Sequence, residues 1–238
     1  MAQEFQITRA EQDLLALASH VKAARAEESG FLGQEIESLG GIEKDNLIRR
    51  DTTAEKLATL KPAFERSTKG TLTAGNSSSL TDGASALCLI SEEQAKRQGR
   101  EILAFIEAVE FSAVAPEDGL LMAPALALPK LLQKNKLSVA DIDIFEIHEA
   151  FAAQVLCNLR AWEQGWKRYP ELKPIGKIPA EKINVNGGSI ALGHPFAATG
   201  GRLILSAAYE LKRKQQKRAV LSVCAAGAMA AAVLIVRE

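Results

Sequence analysis

The chain has 238 residues, 47% of them hydrophobic, enough for one sizeable core or a core with a smaller appendage. Its 29 basic and 29 acidic side chains cancel, so neither a basic nucleic-acid footprint nor an acidic solvating tail is present. Three widely spaced cysteines give no disulfide framework and no CxxC metal pattern, which points to a reducing, cytoplasmic setting. Aromatic residues are scarce and alanine is abundant, so the core is expected to pack small side chains at close backbone approach.

The first residues are charged and helical, unlike an apolar secretory leader. Thr8-Arg9-Ala10-Glu11 has the form of a capping box, and apolar positions then recur at helical spacing to about Glu28. Gly30 to Lys61 is polar and glycine-punctuated and reads as loops around short elements. A small polar loop, Ala74 to Ser79, precedes an apolar run from Ala84 to Ile90 that predicts a strand. Ser91 caps a helix that Gly99 ends. Strands are predicted at about 102–113 and 142–147, and helices at about 123–135 and 149–164. After the glycine run Asn184 to Ser189 come a helix from about Ala198 to Lys214 and two closing strands, 219–224 and 229–236. Ala225 to Val236 is the longest apolar stretch, too short to span a bilayer, and reads as a buried strand. The alternation predicts an α/β layered domain over 84–238, preceded by a helical and loop region over 1–83. The basic run Lys212 to Arg218 is expected to be a solvated helix end that favours the dipole.

Four places carry chemistry-bearing residues. His148 lies where strand 142–147 meets a helix, and by itself it reads best as a helix cap. His194 sits between Gly193 and Pro195, which limit its freedom and suit a general base or an oxyanion donor. Cys224 ends an apolar strand before the small turn Ala225-Ala226-Gly227. It is either an inert core thiol or a reactive one whose pKa a nearby imidazole lowers, beside free turn N–H groups. The loop Asn76 to Ser79 offers hydroxyl and amide groups for an arm such as pantetheine, although alone it reads as a solvent-facing turn. Cys88 and Cys157 are expected in the core, and His20 at the surface or in packing.

Together these segments resemble the thiolase family over nearly the whole chain. Asn184-Val-Asn-Gly-Gly-Ser-Ile-Ala-Leu-Gly-His-Pro195 looks like the segment around the family's catalytic histidine. Thr73 to Gly83 resembles its coenzyme A loop, and Ile7 to Asp13 the opening of its loop domain. His148-Glu-Ala-Phe151 is similar to the 3-ketoacyl-CoA thiolase branch that forms the β subunit of fatty-acid oxidation complexes. The resemblance implies a thiolase-like αβα C-terminal domain over 84–238 after a partial loop domain, 1–83. It implies thiolysis of a 3-ketoacyl-CoA, or the reverse condensation, with coenzyme A as substrate and no metal or covalently bound cofactor.

Roles follow by the same resemblance. His194 would activate the nucleophilic cysteine and, with His148, bind the thioester oxyanion. Cys224 would exchange a proton with the α-carbon of acetyl-CoA, and the Ala226 N–H would serve a second oxyanion hole. Ser78 would contact pantetheine, and Phe151 would line the pocket. A thiolase carries its acylated cysteine ahead of the loop domain, and neither Cys88 nor Cys157 matches that motif, so the N-terminal half is expected to be absent from this chain. Ala228 and Ala230 stand where the family usually has glycines. The implied partners are an N-terminal half, a second copy in a homo-oligomer, and hydratase/dehydrogenase subunits. A non-catalytic acyl-CoA-binding module or an interaction subunit is the alternative reading.

Overall fold

The computed structural model describes Met1–Glu238. In chain order it contains helices α1 (Arg9–Glu28), α2 (Ala54–Ala58) and α3 (Glu92–Arg97), then strand β1 (Phe105–Ala113) and helix α4 (Pro124–Lys134). Strand β2 (Ile144–Ile147) is followed by helices α5 (Ala152–Gln164), α6 (Ser189–Leu192) and α7 (Thr199–Lys214). Strands β3 (Arg218–Ala225) and β4 (Met229–Val236) close the chain.

The capping box forms as its spacing predicts. Thr8 Oγ1 accepts the Glu11 amide at 3.2 Å, and the Glu11 carboxylate accepts the Thr8 amide at 2.7 Å. The buried stripe of α1 alternates alanines (Ala16, Ala23, Ala26) with polar residues (Gln12, Asp13, Ser19, His20). The alanines allow close approach, and the polar residues act as pins. Asp13 accepts from the Asn76 side chain at 2.9 Å, and His20 Nδ1 accepts the Arg49 amide at 3.2 Å. His20 is thus a packing residue.

The sheet has four strands in the order β1-β4-β3-β2, with β2 parallel to β3 and the other pairs antiparallel. Both faces are covered over β2 and β3, which explains why every residue of β2 is buried, whereas β1 at the far edge leaves Ile106, Val109 and Phe111 exposed. On one face α4 and α5 pack Leu128, Leu131, Leu132 and Trp162 against Val220 and Leu234. The indole N–H of Trp162 donates to the Pro124 carbonyl at 3.1 Å, which satisfies its one polar atom inside the core. On the other face α7 packs Leu203, Ala207 and Leu211 against Ile144, Leu221 and Ile235. The result is the expected αβα layering.

Asn184 closes the outer edge of β2. Its side chain accepts the Ile147 amide at 2.7 Å and donates to the Ile147 carbonyl at 2.9 Å, while its own amide donates to Phe145 at 2.9 Å. It holds φ at +43°, a left-handed conformation that asparagine tolerates better than most residues.

Three expectations are corrected. Residues 84–90 are extended but form no strand, because no neighbour pairs with them: no backbone hydrogen bond is made between Leu80 and Ile90. Leu89 and Ile90 on that segment are exposed, and so is Cys88, which was expected in the core. The basic run after α7 is not simply solvated. Arg213 lies 3.4 Å over the Phe31 ring and pairs with the buried Glu210.

Candidate active site

Parallel pairing brings two chemistry-bearing residues to one edge of the sheet. His148 follows β2, and its amide donates to the Ser222 carbonyl of β3 at 2.9 Å. Cys224 lies two residues beyond Ser222. An imidazole and a thiol therefore occupy neighbouring carboxyl ends of parallel strands, where open α/β sheets gather ligands.

His148 does not cap α5, whose N-cap, Phe151, makes no side-chain cap bond. Its Nδ1 instead meets Ser189 Oγ at 2.9 Å, and its ring lies 4.2 Å from that of His194 at 43°. His194 is fixed from several sides. Its amide donates to the Ser79 carbonyl at 3.0 Å, Nδ1 meets Thr199 Oγ1 at 2.7 Å, and the Phe196 ring lies 5.0 Å away. Gly193 makes this turn possible. It holds φ at +84°, and a Cβ there would come within 2.6 Å of Thr81 and 2.7 Å of Leu47.

Both imidazoles are held neutral. Burial, then the neighbouring His194 and Arg202, push His148 down to about 3. Burial and then Arg202 also lower His194. Of the two readings of Cys224, the lowered pKa is not the one found: burial pushes its thiol up to about 12, and no imidazole draws it down. The turn after it is exposed from Ala225 to Gly227, and the Ala226 amide bonds to no backbone carbonyl. Ala228 ends that turn at φ +58°, a conformation that costs an L-residue ~1 kcal/mol, with its methyl fully buried. Ala230 faces Cys224 across the β3–β4 ladder.

The loop 76–79 is no solvent-facing turn. Asn76 and Ser77 are buried, the Asn76 carbonyl accepts the Ala152 amide at 2.9 Å, and the Ser78 amide donates to Ala150 at 3.0 Å. The Ser78 hydroxyl also donates to Ala150, at 3.1 Å, so it keeps lone pairs but no proton for a ligand. Phe151 meets Phe64 edge-on with centroids 5.5 Å apart. Beside these residues a groove of about 340 Å³ opens between Leu80–Gly83 and His194–Phe196.

Sequence reasoning missed the buried charges behind the histidines. Glu149 is 3% exposed and accepts from Ser19 at 2.7 Å, Asn184 at 2.6 Å and the Ile190 amide at 3.2 Å. Three donors around one carboxylate tie α1, the glycine run and the His148 segment together. Gly188 is required here, since a Cβ would lie 2.2 Å from the Glu149 carboxyl carbon. Glu146, one strand position before Ile147, is raised to about 8 by burial, with Arg202 opposing. Arg202 donates to Ser189 Oγ at 3.0 Å. The dipeptide His148-Glu149 was the one linear hint. Ser189, Thr199 and Arg202 meet the histidines only through the fold. No group of three or more His, Cys, Asp or Glu side chains is arranged to hold a metal, and no helix is long and apolar enough to cross a membrane.

Such an edge can hold developing negative charge on a carbonyl oxygen, take a proton at an imidazole and give one from a neutral thiol. Comparison with known proteins bears on which carbonyl. Residues 100–237 match the family described as "Thiolase, C-terminal domain", and residues 1–93 the one described as "Thiolase, N-terminal domain". Both domains are therefore represented, which does not support an N-terminal half that is wholly absent. A 3-ketoacyl-CoA thiolase of Pseudoalteromonas translucida is 43% identical over 244 residues, covering 99% of this chain and 56% of the relative. A 3-ketoacyl-CoA thiolase of Photobacterium profundum is 43% identical over 249 residues, covering 100% of this chain and 56% of the relative. The crystal structure of the Bacillus anthracis acetyl-CoA acetyltransferase superposes with a TM-score of 0.83 at 40% identity, over 99% of this chain and 57% of that one. The chain thus spans about half the length of the curated relatives it matches.

Proposed function

This chain belongs to the thiolase family, and from that premise we propose that it supplies the oxyanion-binding and proton-transfer side of a 3-ketoacyl-CoA thiolase. The observation that carries this reading is the pair of neutral imidazoles, His148 and His194, whose rings lie 4.2 Å apart at 43° where β2 ends alongside β3, the strand that carries Cys224. Residues 1–83 form the loop region with the coenzyme A loop, and residues 84–238 the C-terminal domain.

The reaction runs in two halves. His194 takes the proton of a cysteine thiol, and the thiolate attacks C3 of a 3-ketoacyl-CoA. The C2–C3 bond then breaks, leaving an acyl group on that sulfur and the enolate of acetyl-CoA. His148 and His194 hold the thioester oxygen of the enolate, and Cys224 gives its proton to C2. A thiol pushed up to about 12 arrives protonated, as this step requires. Coenzyme A then surrenders its thiol proton to the Cys224 thiolate and takes the acyl group, the Ala226 N–H holding the tetrahedral oxyanion, while the first cysteine leaves as a thiolate and recovers its proton from His194. Ser78 offers a lone pair to pantetheine, and Phe151 with Phe64 forms an apolar wall. Coenzyme A is a substrate, and no resident metal enters.

The acylated cysteine comes from residues outside this sequence. Cys157 is buried in α5 with its thiol pushed up to about 12, and Cys88 lies exposed on the unpaired segment. That segment supports the same reading. It is extended and apolar, with its backbone groups unmatched, the state of a strand whose sheet lies on another polypeptide or on a longer form of this one. A homo-oligomeric assembly, with hydratase/dehydrogenase subunits in the cytoplasm, belongs to this proposal.

Calorimetric titration of the chain with coenzyme A tests the ligand. Saturable binding that Cys224→Ser leaves intact is expected, because Cys224 acts on the acetyl carbon and not on the nucleotide. The absence of binding would contradict coenzyme A as the ligand.

A further inference from the structure

Two imidazoles in one pocket are chemically interchangeable unless something distinguishes them. The proposed reaction requires a difference, since one ring must accept a proton at the nitrogen where the other donates. The hydrogen-bond partners at Nδ1 supply it.

Ser189 is fully buried and its hydroxyl has two partners, His148 Nδ1 at 2.9 Å and Arg202 Nη2 at 3.0 Å. A guanidinium only donates. A proton on His148 Nδ1 would leave Ser189 Oγ facing two donors, with its own proton buried and without an acceptor. The arrangement that satisfies every group has Arg202 donating to Ser189, and Ser189 donating to Nδ1. The ring proton of His148 is then on Nε2.

Thr199 does the opposite for His194. Its Oγ1 lies 3.3 Å from the Pro195 carbonyl, which only accepts, and 2.7 Å from His194 Nδ1. With the threonine proton on Pro195, His194 Nδ1 is the donor and Nε2 keeps its lone pair, the arrangement in which every one of these groups is used. Neither Nε2 has a hydrogen-bond partner within the protein.

We propose that Ser189, oriented by Arg202, is a positioning residue that holds His148 as its Nε2–H tautomer beside a His194 that presents a lone pair at Nε2. One ring is thereby built as the oxyanion donor and the other as the base. Arg202 enters no ion pair of its own, so its short-range contact toward the site is the serine. The catalytic meaning of the difference rests on the thiolase reading, but the tautomers themselves do not.

Proton–nitrogen correlation spectra of the nitrogen-15-histidine-labelled chain read both tautomers directly. The three histidine rings are assigned with His20→Gln and His194→Gln. At pH 7 the expected pattern is a proton on Nε2 of His148 and on Nδ1 of His194. In Ser189→Ala, and separately in Arg202→Met, the Nδ1–H form of His148 is expected to grow, because the enforced donor is gone. In an assembly competent for thiolysis, Ser189→Ala would lower kcat about tenfold with KM unchanged, as a misdirected oxyanion donor does. A wild-type His148 protonated on Nδ1, or a pattern that neither substitution moves, overturns the proposal. The expected pattern in a chain that never supports thiolysis would leave the tautomers standing and remove the thiolase reading alone.

Discussion

Glu146 is a buried carboxyl with an unmatched oxygen, and it makes the stability of this fold depend on pH. It is 2% exposed, and its Oε2 has no hydrogen-bond partner. Burial is the largest influence on it, Glu35 and Glu149 push the same way, Arg202 and Lys22 oppose, and the outcome is a pKa raised from 4.5 to about 8. The unfolded chain releases this proton near 4.5, whereas the folded chain keeps it to about 8. Stability from the neutral carboxyl is thus fully present below 4.5 and is lost as pH rises through about 8. The amount withdrawn across that window is roughly 5 kcal/mol. Glu146→Gln keeps the shape and cannot ionise. At ~2–4 °C per kcal/mol for a chain of this size, the variant should melt about 10 °C above wild type at pH 9. At pH 5 the two should melt together. Thermal unfolding followed by circular dichroism from pH 5 to 9 measures the difference. Parallel curves for the two proteins would refute the reasoning, because the effect resides in the ionisation that glutamine lacks.

Other outcomes follow from the same geometry. A disulfide reagent should label the exposed Cys88 quickly, while Cys157 and Cys224, each pushed up to about 12, stay silent until unfolding; a second fast equivalent would contradict this. Gly188→Ala drives a methyl to within 2.2 Å of a carboxyl pinned by three donors. Urea unfolding should show a loss of ~3 kcal/mol or more, and an unchanged midpoint would count against the pinning. Asn184→Ala removes both Ile147 bonds and one Glu149 bond. It should destabilise the chain by ~3 kcal/mol on the same assay, and a loss under ~1 kcal/mol would mean that β2 does not need this cover. Since His194 is lowered from 6.5, rates in a competent assembly should be flat above that pH and fall only on its acid side. A rise continuing to pH 8 would assign the base elsewhere.

Legibility divided along a physical line. The α1 capping box, α4, α5, α7 and the closing hairpin were readable because their signals are local: caps, periodicity and turn residues within a few positions. Residues 84–90 misled for the complementary reason. An apolar run reports that a segment prefers to be extended, but a ladder also needs a neighbour, and none is present. His148, His194 and Cys224 were readable as motif residues, yet their electrostatic state was not. Burial decides it, and burial raised the Cys224 thiol where adjacency to an imidazole suggested lowering it. Ser189, Thr199 and Arg202 carry no linear signal. Thr199 and Arg202 meet the site because α7 starts directly after the His194 turn, and Ser189 because the glycine run folds back onto the end of β2.

Thiolysis of acetoacetyl-CoA, assayed with and without the N-terminal portion of a 43%-identical 3-ketoacyl-CoA thiolase as a second polypeptide, tests the central claim most directly. The account predicts no turnover by this chain alone, turnover on mixing, and its loss when the chain carries His194→Ala. Robust turnover by the chain alone, or near-normal rates with His194→Ala, would contradict it.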